Sequence, residues 1–213
     1  MGNLIKKFIT PLVPQQVLNI TRKYIGQQEL KAWEKNGRPT PPPHIVKQLA
    51  IRDYQQQHGH RILVETGTYR GDMVEAQRNR FKKVFSIELG IELHRRAQKR
   101  FRNHPNVEIV QGDSGKVLSK IMKEVQEPAI FWLDGHYSAG VTAKGDKDCP
   151  IFEEVDAIFN SSPQNHILLI DDARCFVGKD DYPTIDHLTE YIRQRNDRYQ
   201  VEVKDDIIRY VIS

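Results

Sequence analysis

Residues 62–71 constrain the fold more than any other part of the chain. A short apolar run ends there in Glu65, and a turn containing Gly67 and Gly71 follows it. Residues 71–81 then have the apolar spacing of a helix. A strand, a glycine-rich turn and a helix in this order are typical of the first unit of a nucleotide-binding α/β sheet. The acid that opens this Glu-x-Gly-x-x-x-Gly turn would repel a pyrophosphate, and it suits a ligand with a cationic amino group.

Two further apolar segments also end close to a carboxylate. The segment 83–88 ends in Glu88, and the segment 106–111 is followed by Gly112, Asp113 and Ser114. Open α/β sheets bind their ligands at the carboxyl ends of the strands. We therefore expect a ligand at this edge, where Glu88 can accept hydrogen bonds from two ribose hydroxyls.

The remaining chain alternates strand and helix patterns. Strands are predicted at 61–66, 83–88, 106–111, 129–133 and 166–171, and helices at 43–57, 71–81, 91–103, 115–125, 150–160 and 184–195. This alternation predicts an α/β fold with a parallel sheet and right-handed crossovers. The last two strands, near 199–204 and 206–212, are joined by a short polar turn, which is typical of a hairpin.

A second polar group follows the fourth and fifth strands. Asp134 and His136 come after the fourth strand, and Asp171 and Asp172 come after the fifth. If these strands are neighbours, three carboxylates meet in one cleft, and they would repel each other unless a cation compensated them. All-oxygen ligands suit Mg²⁺, Mn²⁺ or Ca²⁺ rather than zinc. The alternative is that Asp171 or Asp172 caps the following turn while the other carboxylates are solvated.

The three acid-ended strands resemble the class I S-adenosylmethionine-dependent methyltransferases over roughly residues 60–212. The resemblance implies a Rossmann-like α/β fold: a seven-stranded, mostly parallel sheet with an antiparallel last strand and helices on both faces. It implies that S-adenosylmethionine is bound by Glu65, Thr66, Gly67, Tyr69, Gly71, Glu88, Asp113, Ser114 and Asp134. Glu65 would face the methionine part of the cofactor and Glu88 the ribose. Asp113 and Ser114 would face the adenine.

The aspartates after strands four and five resemble those of metal-dependent O-methyltransferases of the catechol and macrocin sugar types. The resemblance implies that Asp134, Asp171 and Asp172 hold Mg²⁺, with Mn²⁺ or Ca²⁺ as alternatives. The catechol enzymes carry a catalytic lysine three residues after the first ligand, where this chain has Tyr137. His136 is the first candidate to replace that lysine as the catalytic base, and Lys144 is the second. Their loop, rich in small residues, is predicted to form a lid over the acceptor.

The amino-terminal part differs from the rest in charge. The first 60 residues carry nine Lys and Arg against three Asp and Glu, whereas the whole chain has a formal net charge of +4. A proline-rich linker at 38–43 separates two parts. The sequence therefore predicts an extension, residues 1–42, and a methyltransferase domain, residues 43–213. Because the positive charge belongs to the extension, the domain is not expected to bind nucleic acid.

Residues 3–25 have an amphipathic helical spacing that Pro11 and Pro14 interrupt. One interpretation is that the extension packs on the domain or on a second subunit, as in a homodimer. The other is that residues 1–25 lie on an anionic membrane surface. No apolar run approaches the roughly 20 residues that span a bilayer, and Cys149 and Cys175 make no disulfide framework. The expected location is the cytoplasm, with peripheral contact at the inner membrane surface as the membrane interpretation.

These observations favour a metal-assisted O-methyltransferase that acts on a hydroxyl of a small molecule or a sugar unit. A metal-independent methyltransferase is the first alternative, and a non-catalytic protein with the same fold is the second. A nicotinamide oxidoreductase fits less well, because Glu65 stands where a dinucleotide-binding turn has glycine. No Asn-Pro-Pro-Tyr-like motif is present, which argues against methylation of nucleic-acid bases.

Overall fold

The computed structural model describes residues 15–135, 149–161 and 165–212. Its internal contacts divide the chain into two units, residues 1–47 and residues 48–213. The sequence placed the domain boundary after residue 42, within the proline-rich linker, and that boundary stays a prediction. Among the described residues, no helix combines the length and the apolar character needed to cross a membrane.

The first unit contains the long helix α1, Gln15–Lys35, which begins directly after Pro14. Ending the predicted helix at residue 25 was wrong, because the Gln-, Glu-, Leu-, Lys- and Ala-rich sequence that follows continues the helix. Trp33 is buried near its end and donates from its indole nitrogen to the carbonyl of Pro39 at 2.7 Å. The residues after α1 therefore fold back onto its last turn. Residues 3–14 of the amphipathic segment lie outside the described part.

The second unit is built around a seven-stranded sheet in the order β3-β2-β1-β4-β5-β7-β6. The strands β1 to β5 are parallel, β7 pairs antiparallel with β5, and β6 pairs antiparallel with β7. The predicted α/β fold with its antiparallel carboxyl-terminal strands is confirmed. The strand bounds are Ile62–Thr66, Lys83–Glu88, Val107–Gln111, Ala129–Leu133, Ile167–Ile170, Tyr199–Lys204 and Ile207–Ile212.

Helices cover both faces of this sheet. Consecutive residues of β1 and β4 alternate between two buried apolar clusters, as expected for strands that are covered on both sides. One cluster includes apolar residues of α5, α6 and α7, and the other includes residues of α2, α3 and α4. The helix bounds, α2 to α7, are His44–His58, Asp72–Gln77, Ile91–Phe101, Ser114–Ile121, Ile151–Phe159 and Ile185–Arg193.

The strand register brings the predicted site residues to one edge of the sheet. The last residue of β1, Thr66, lies opposite Ile87 of β2 and Leu133 of β4, and Leu133 lies opposite Ile170 of β5. The chain then leaves these strands at the same level. The Gly-rich turn, the Asp134 segment and the Asp171 segment therefore neighbour each other, as the sequence predicted.

Candidate cofactor and metal site

The glycines of the turn after β1 are required by close packing within the protein. Gly67 has a φ of +87°, and a Cβ there would lie 2.3 Å from the carbonyl oxygen of Asp134. Gly71 has a φ of +74°, and its Cβ would lie 2.6 Å from the ring of Phe101. A side chain at either position would clash and would strain the backbone. The turn is therefore held tightly against the end of β4 and against α4.

Glu65, the last residue but one of β1, is a buried acid with an altered pKa. Burial raises the pKa of its carboxyl to about 8, and the negative charges of Glu88 and Asp72 add to the rise. The hydroxyl of Ser86 on β2 donates to this carboxyl and partly opposes the shift. Glu65 is therefore largely protonated near neutral pH, and a cationic group beside it would favour its ionised form.

Glu88, at the end of β2, is buried and held in a defined orientation. The backbone N–H of Tyr69 donates to one of its oxygens at 2.7 Å, and the N–H of Gly90 donates to the other at 2.8 Å. A carboxylate oxygen can accept more than one hydrogen bond, so both oxygens keep capacity for hydroxyl donors. This arrangement suits the predicted contact with two ribose hydroxyls.

Asp113 and Ser114 follow β3 at the same edge. The Asp113 side chain accepts from the N–H of Gly115 at 3.0 Å and so caps the start of α5. Ser114 is buried in the first turn of that helix. The cap accounts for the acid at position 113 without a ligand, so the predicted adenine contact of Asp113 stays a prediction.

Glu154 belongs to this site, although it was not predicted from the sequence. It lies on α6, is fully buried, and faces the hydroxyls of Thr66 and Ser114, which favour its charged form. Burial, assisted by the charges of Asp113 and Glu153, outweighs them and raises its pKa to about 7.

Glu154 also lies against the start of the segment that follows β4. Neither of its carboxylate oxygens makes a well-formed hydrogen bond within the described residues. A Cβ on Gly135 would lie 2.9 Å from one of them. The signal in the sequence was a carboxylate at position 154 within the apolar stripe formed by Ile151, Val155 and Ile158.

The three predicted metal ligands are brought together at the ends of β4 and β5. Asp134, Asp171 and Asp172 each offer a carboxylate oxygen, and these oxygens lie within 4.8 Å of one another. Asp171 is fully buried and accepts from the N–H of Asp172 at 2.8 Å. The N–H of Asp134 donates to the Thr66 hydroxyl at 3.1 Å. The donor set, three hard oxygens, fits Mg²⁺, Mn²⁺ or Ca²⁺.

A protein cation, Arg174, lies beside the aspartate cluster, and the sequence did not predict it. Arg174 lies in the short 3₁₀ turn Ala173–Cys175 after β5. Its Nη1 atom lies 2.9 Å from Oδ1 of Asp172 and also donates to Asp206, a residue of the turn between β6 and β7. Arg174 shares its positive charge between these two carboxylates, so it offsets only part of the negative charge beside Asp172.

The two predicted catalytic residues, His136 and Lys144, lie outside the described residues, in the segment 136–148. Their assignment as catalytic base stays a prediction. The structure shows where this segment leaves the sheet, because Gly135 is packed against Glu154, Ser114 and Thr66. The segment returns at Cys149 and Pro150, both buried, immediately before α6.

No protein-family model and no curated protein sequence matches the chain. The fold is similar to that of solved methyltransferases. An O-methyltransferase from Bacillus cereus in complex with SAH has a TM-score of 0.56 at 15% identity, covering 99% of this chain and 97% of that one. The SAH-bound methyltransferase PaMTH1 from Podospora anserina has a TM-score of 0.54 at 15% identity, covering 95% and 98%.

The fold is that of class I S-adenosylmethionine-dependent methyltransferases. The N-methyltransferase NodS from Bradyrhizobium japonicum shares it with a TM-score of 0.52 at 11% identity, covering 78% of this chain and 94% of that one. Methyltransferases that modify oxygen and nitrogen therefore have the same architecture. The fold leaves the acceptor atom open, and the residues of the site have to indicate it.

Proposed function

We propose that the chain is an S-adenosylmethionine-dependent O-methyltransferase that uses a divalent metal ion and acts on a hydroxyl of a small molecule or sugar unit. The observation that carries this proposal is the cluster of Asp134, Asp171 and Asp172, whose oxygens lie within 4.8 Å of one another. The cluster follows β4 and β5, beside the turn expected to bind the cofactor. A metal site next to a methyl-donor site fits an oxygen acceptor better than a nitrogen acceptor.

The chain's own residues can hold the cofactor in a fixed orientation. Glu88 is prearranged by two backbone donors to accept the ribose hydroxyls. Glu65 is buried among negative charges, so it suits the cationic methionine end of the ligand. Holding both ends aligns the sulfur, the methyl carbon and the acceptor oxygen, which is the main requirement for an in-line displacement.

Asp134, Asp171 and Asp172 would be the metal ligands. A divalent ion bound there would lower the pKa of an acceptor hydroxyl. The predicted base in the segment 136–148, His136 or Lys144, would receive the hydroxyl proton. Thr66 supports the backbone of Asp134 by accepting from its N–H group, so the ligand is attached to the same strand end as the cofactor turn.

A metal-independent methyltransferase is the second candidate, and Arg174 is the observation that favours it. Its guanidinium partly neutralises Asp172 and lies at the same strand end as the predicted metal ligands. In this alternative the carboxylates bind the hydroxyls of a polar acceptor, and the guanidinium supplies the positive charge. The two candidates differ in one measurable property, the effect of a chelator on activity.

The test is methyl transfer to a panel of catechols and sugars, measured with metal-free and metal-restored protein. Chelator-treated protein should keep its affinity for S-adenosylmethionine in calorimetry and lose activity, and Mg²⁺ or Mn²⁺ should restore it. Asp171→Asn should behave like the chelated protein. Asp197→Asn, a change at an exposed aspartate between α7 and β6, is the matched control. Full activity in excess chelator would exclude the metal and favour the second candidate.

A further inference from the structure

Positive charge is concentrated in one part of the second unit. Residues 78–102 contain nine Lys and Arg against two Asp and Glu, whereas the other residues of 61–213 contain 14 against 23. One of the two acids, Glu88, is buried at the cofactor edge, so Glu92 is the exposed one. The small total charge of the domain argued against nucleic-acid binding, but that total hides a separation of opposite charges.

Four of these nine cations have a carboxylate partner. They are Arg78, Lys83, Arg95 and Arg100, which pair with Glu75, Glu108, Glu92 and Asp72 at 2.6–3.1 Å. The other five, which we call the basic face, are exposed and make no ion pair with a described residue: Arg80, Lys82, Arg96, Lys99 and Arg102. Like charges without nearby acids repel each other, so this face favours an anionic ligand.

Three cations of the basic face form a row on α4. Arg96, Lys99 and Arg102 follow one another at three-residue spacing, on the side of the helix away from its buried residues. Interaction with the helix dipole accounts for basic residues at the carboxyl end, where Lys99 and Arg102 lie. Arg96 precedes the last turn, so the dipole does not account for the whole row.

The turn before β2 brings the other two cations to the same end of α4. Arg80 and Lys82 lie in this turn. The side-chain amide of Asn106, shortly after α4, donates to the carbonyls of Arg78 and Phe81 at 2.8 and 3.2 Å. These bonds fix the turn beside the carboxyl end of α4, so the basic face continues from the helix onto the turn.

The chemistry of the surrounding side chains indicates which anion this face fits. Asn79, Gln98 and Asn103 are exposed among the cations, and their amides can donate to phosphate oxygens. The large apolar side chain that α4 exposes, Ile91, is at the opposite end of the helix. A row of cations and amides fits a chain of phosphates, whereas a membrane-binding helix also presents apolar side chains that enter the lipid.

We propose that the basic face binds the sugar-phosphate backbone of a nucleic acid, independently of base sequence. Arginine suits this role because its planar guanidinium can donate two hydrogen bonds to one phosphate. The face lies at the end of α4 remote from Gly90, whose N–H donates to Glu88 at the cofactor edge. It is therefore an attachment surface that goes beyond the proposed function, and the acceptor hydroxyl of that function is unchanged.

The test is binding of the full chain to a short fluorescein-labelled DNA duplex of mixed sequence, measured by fluorescence anisotropy at several salt concentrations. Each phosphate contact contributes about −0.9 to the slope of log K against log salt, so five contacts contribute about −4.5. The triple variant Arg96→Gln, Lys99→Gln and Arg102→Gln should bind more weakly at low salt, on the order of 10²-fold. Its slope should be less steep by about 2.7.

A second triple variant is the matched control, because it removes the same charge from a different helix. Lys116, Lys120 and Lys123 are exposed on α5 or just after it, and their replacement by Gln should leave duplex affinity near wild type. Arg80→Gln combined with Lys82→Gln tests the turn independently of α4, and it should make the slope less steep by about 1.8. Equal losses of affinity in the α4 variant and the α5 control would overturn the inference, because binding would then follow total charge.

Anionic vesicles distinguish a lipid surface from a nucleic acid. If the α4 variant loses binding to vesicles containing phosphatidylserine and keeps wild-type binding to the duplex, the basic face is a membrane surface and the inference is overturned. A wild-type protein that does not bind the duplex overturns it as well. SAH binding, measured by calorimetry, should be the same in wild type and in all these variants. The cofactor site and the proposed methyl transfer are thus tested separately from the basic face.

Discussion

The backbone N–H of Tyr69 donates to Oε2 of Glu88 at 2.7 Å, and this bond ties the Gly-rich turn after β1 to the end of β2. Tyr69 has a φ of +49°, so the turn adopts a left-handed conformation to present this N–H. The Glu88 carboxylate is thereby oriented before any ligand arrives. A preoriented acceptor loses less entropy on binding, and its contribution to affinity is correspondingly large.

Replacing Glu88 by Ala should weaken S-adenosylmethionine binding by about 1–3 kcal/mol, because two ribose hydroxyls would lose their acceptor. Isothermal titration calorimetry measures the change. Glu92→Ala, at an exposed acid on α4 that pairs with Arg95, is the control and should leave affinity unchanged. Equal affinities for the two variants would remove Glu88 from the cofactor site.

Glu65 predicts a pH dependence of stability. Its folded-state pKa is raised from 4.5 to about 8, so the folded protein binds a proton that the unfolded chain releases. The stability from this group is fully present below about pH 4.5 and is lost as pH rises towards 8. Between pH 6 and pH 8.5, the free energy of unfolding measured with urea should fall further for wild type than for Glu65→Gln. An equal fall in unfolding free energy for the two proteins would contradict the raised pKa of Glu65.

We also expect Glu65 to release a proton when the cofactor binds. If the cationic end of S-adenosylmethionine lies beside Glu65, the complex favours the ionised carboxylate, and binding near pH 7 should release a proton. Calorimetry in two buffers of different ionisation enthalpy measures that proton. Glu65→Gln should abolish the buffer dependence. A wild-type protein that releases no proton would place the cationic end elsewhere.

Gly67→Ala should destabilise the protein by more than a positive φ alone explains. The added Cβ would lie 2.3 Å from the carbonyl oxygen of Asp134. Gly59 is a matched control, because it has a φ of +71° and a Cβ added there would meet nothing within 4 Å. Gly59→Ala should cost about 1–2 kcal/mol of unfolding free energy, and Gly67→Ala several kcal/mol. Equal costs would contradict the close packing of the turn on β4.

Glu154→Ala should cost about 1–3 kcal/mol of unfolding free energy, because it leaves a void and removes the carboxylate that Thr66 and Ser114 face. Glu154→Gln keeps the volume and should recover most of that loss. Since burial raises the Glu154 pKa to about 7, Glu154→Gln should also lose less stability than wild type between pH 5 and pH 7. Denaturant unfolding at both pH values measures these differences. A fully stable Glu154→Ala would show that the carboxyl has no supporting role.

If residues 1–25 lie on a membrane surface, the protein should bind anionic vesicles, and this binding should weaken as salt rises. On α1, Tyr24 is 62% exposed and Ile25 is 49% exposed, and Arg22 and Lys23 lie beside them. Full-length protein should co-sediment with anionic vesicles and dissociate as salt rises. Equal behaviour with neutral vesicles would favour packing on the domain or in a homodimer, which sedimentation velocity then distinguishes.

The sequence was sufficient for the features that depend on neighbouring residues. The apolar run before Glu65, the glycines after it and the matching runs before Glu88 and Asp134 predicted strands, turns and the sheet edge where the acids meet. These patterns are local, because a strand buried on both faces has to be apolar throughout and a tight turn requires glycine. Strand adjacency then followed from the rules of parallel α/β folds.

The tertiary structure alone decided which side chains of the helices and of the β6–β7 hairpin meet the residues at the strand ends. Arg174 lies against Asp206, a residue of the β6–β7 turn, and Glu154 of α6 lies against Thr66 and Ser114. No local pattern predicts such pairs, because they depend on how helices and hairpins pack after the sheet has formed. Periodicity indicates which face of an element is buried, whereas the partner on that face is chosen by long-range packing. The charge state of the acids follows from that packing.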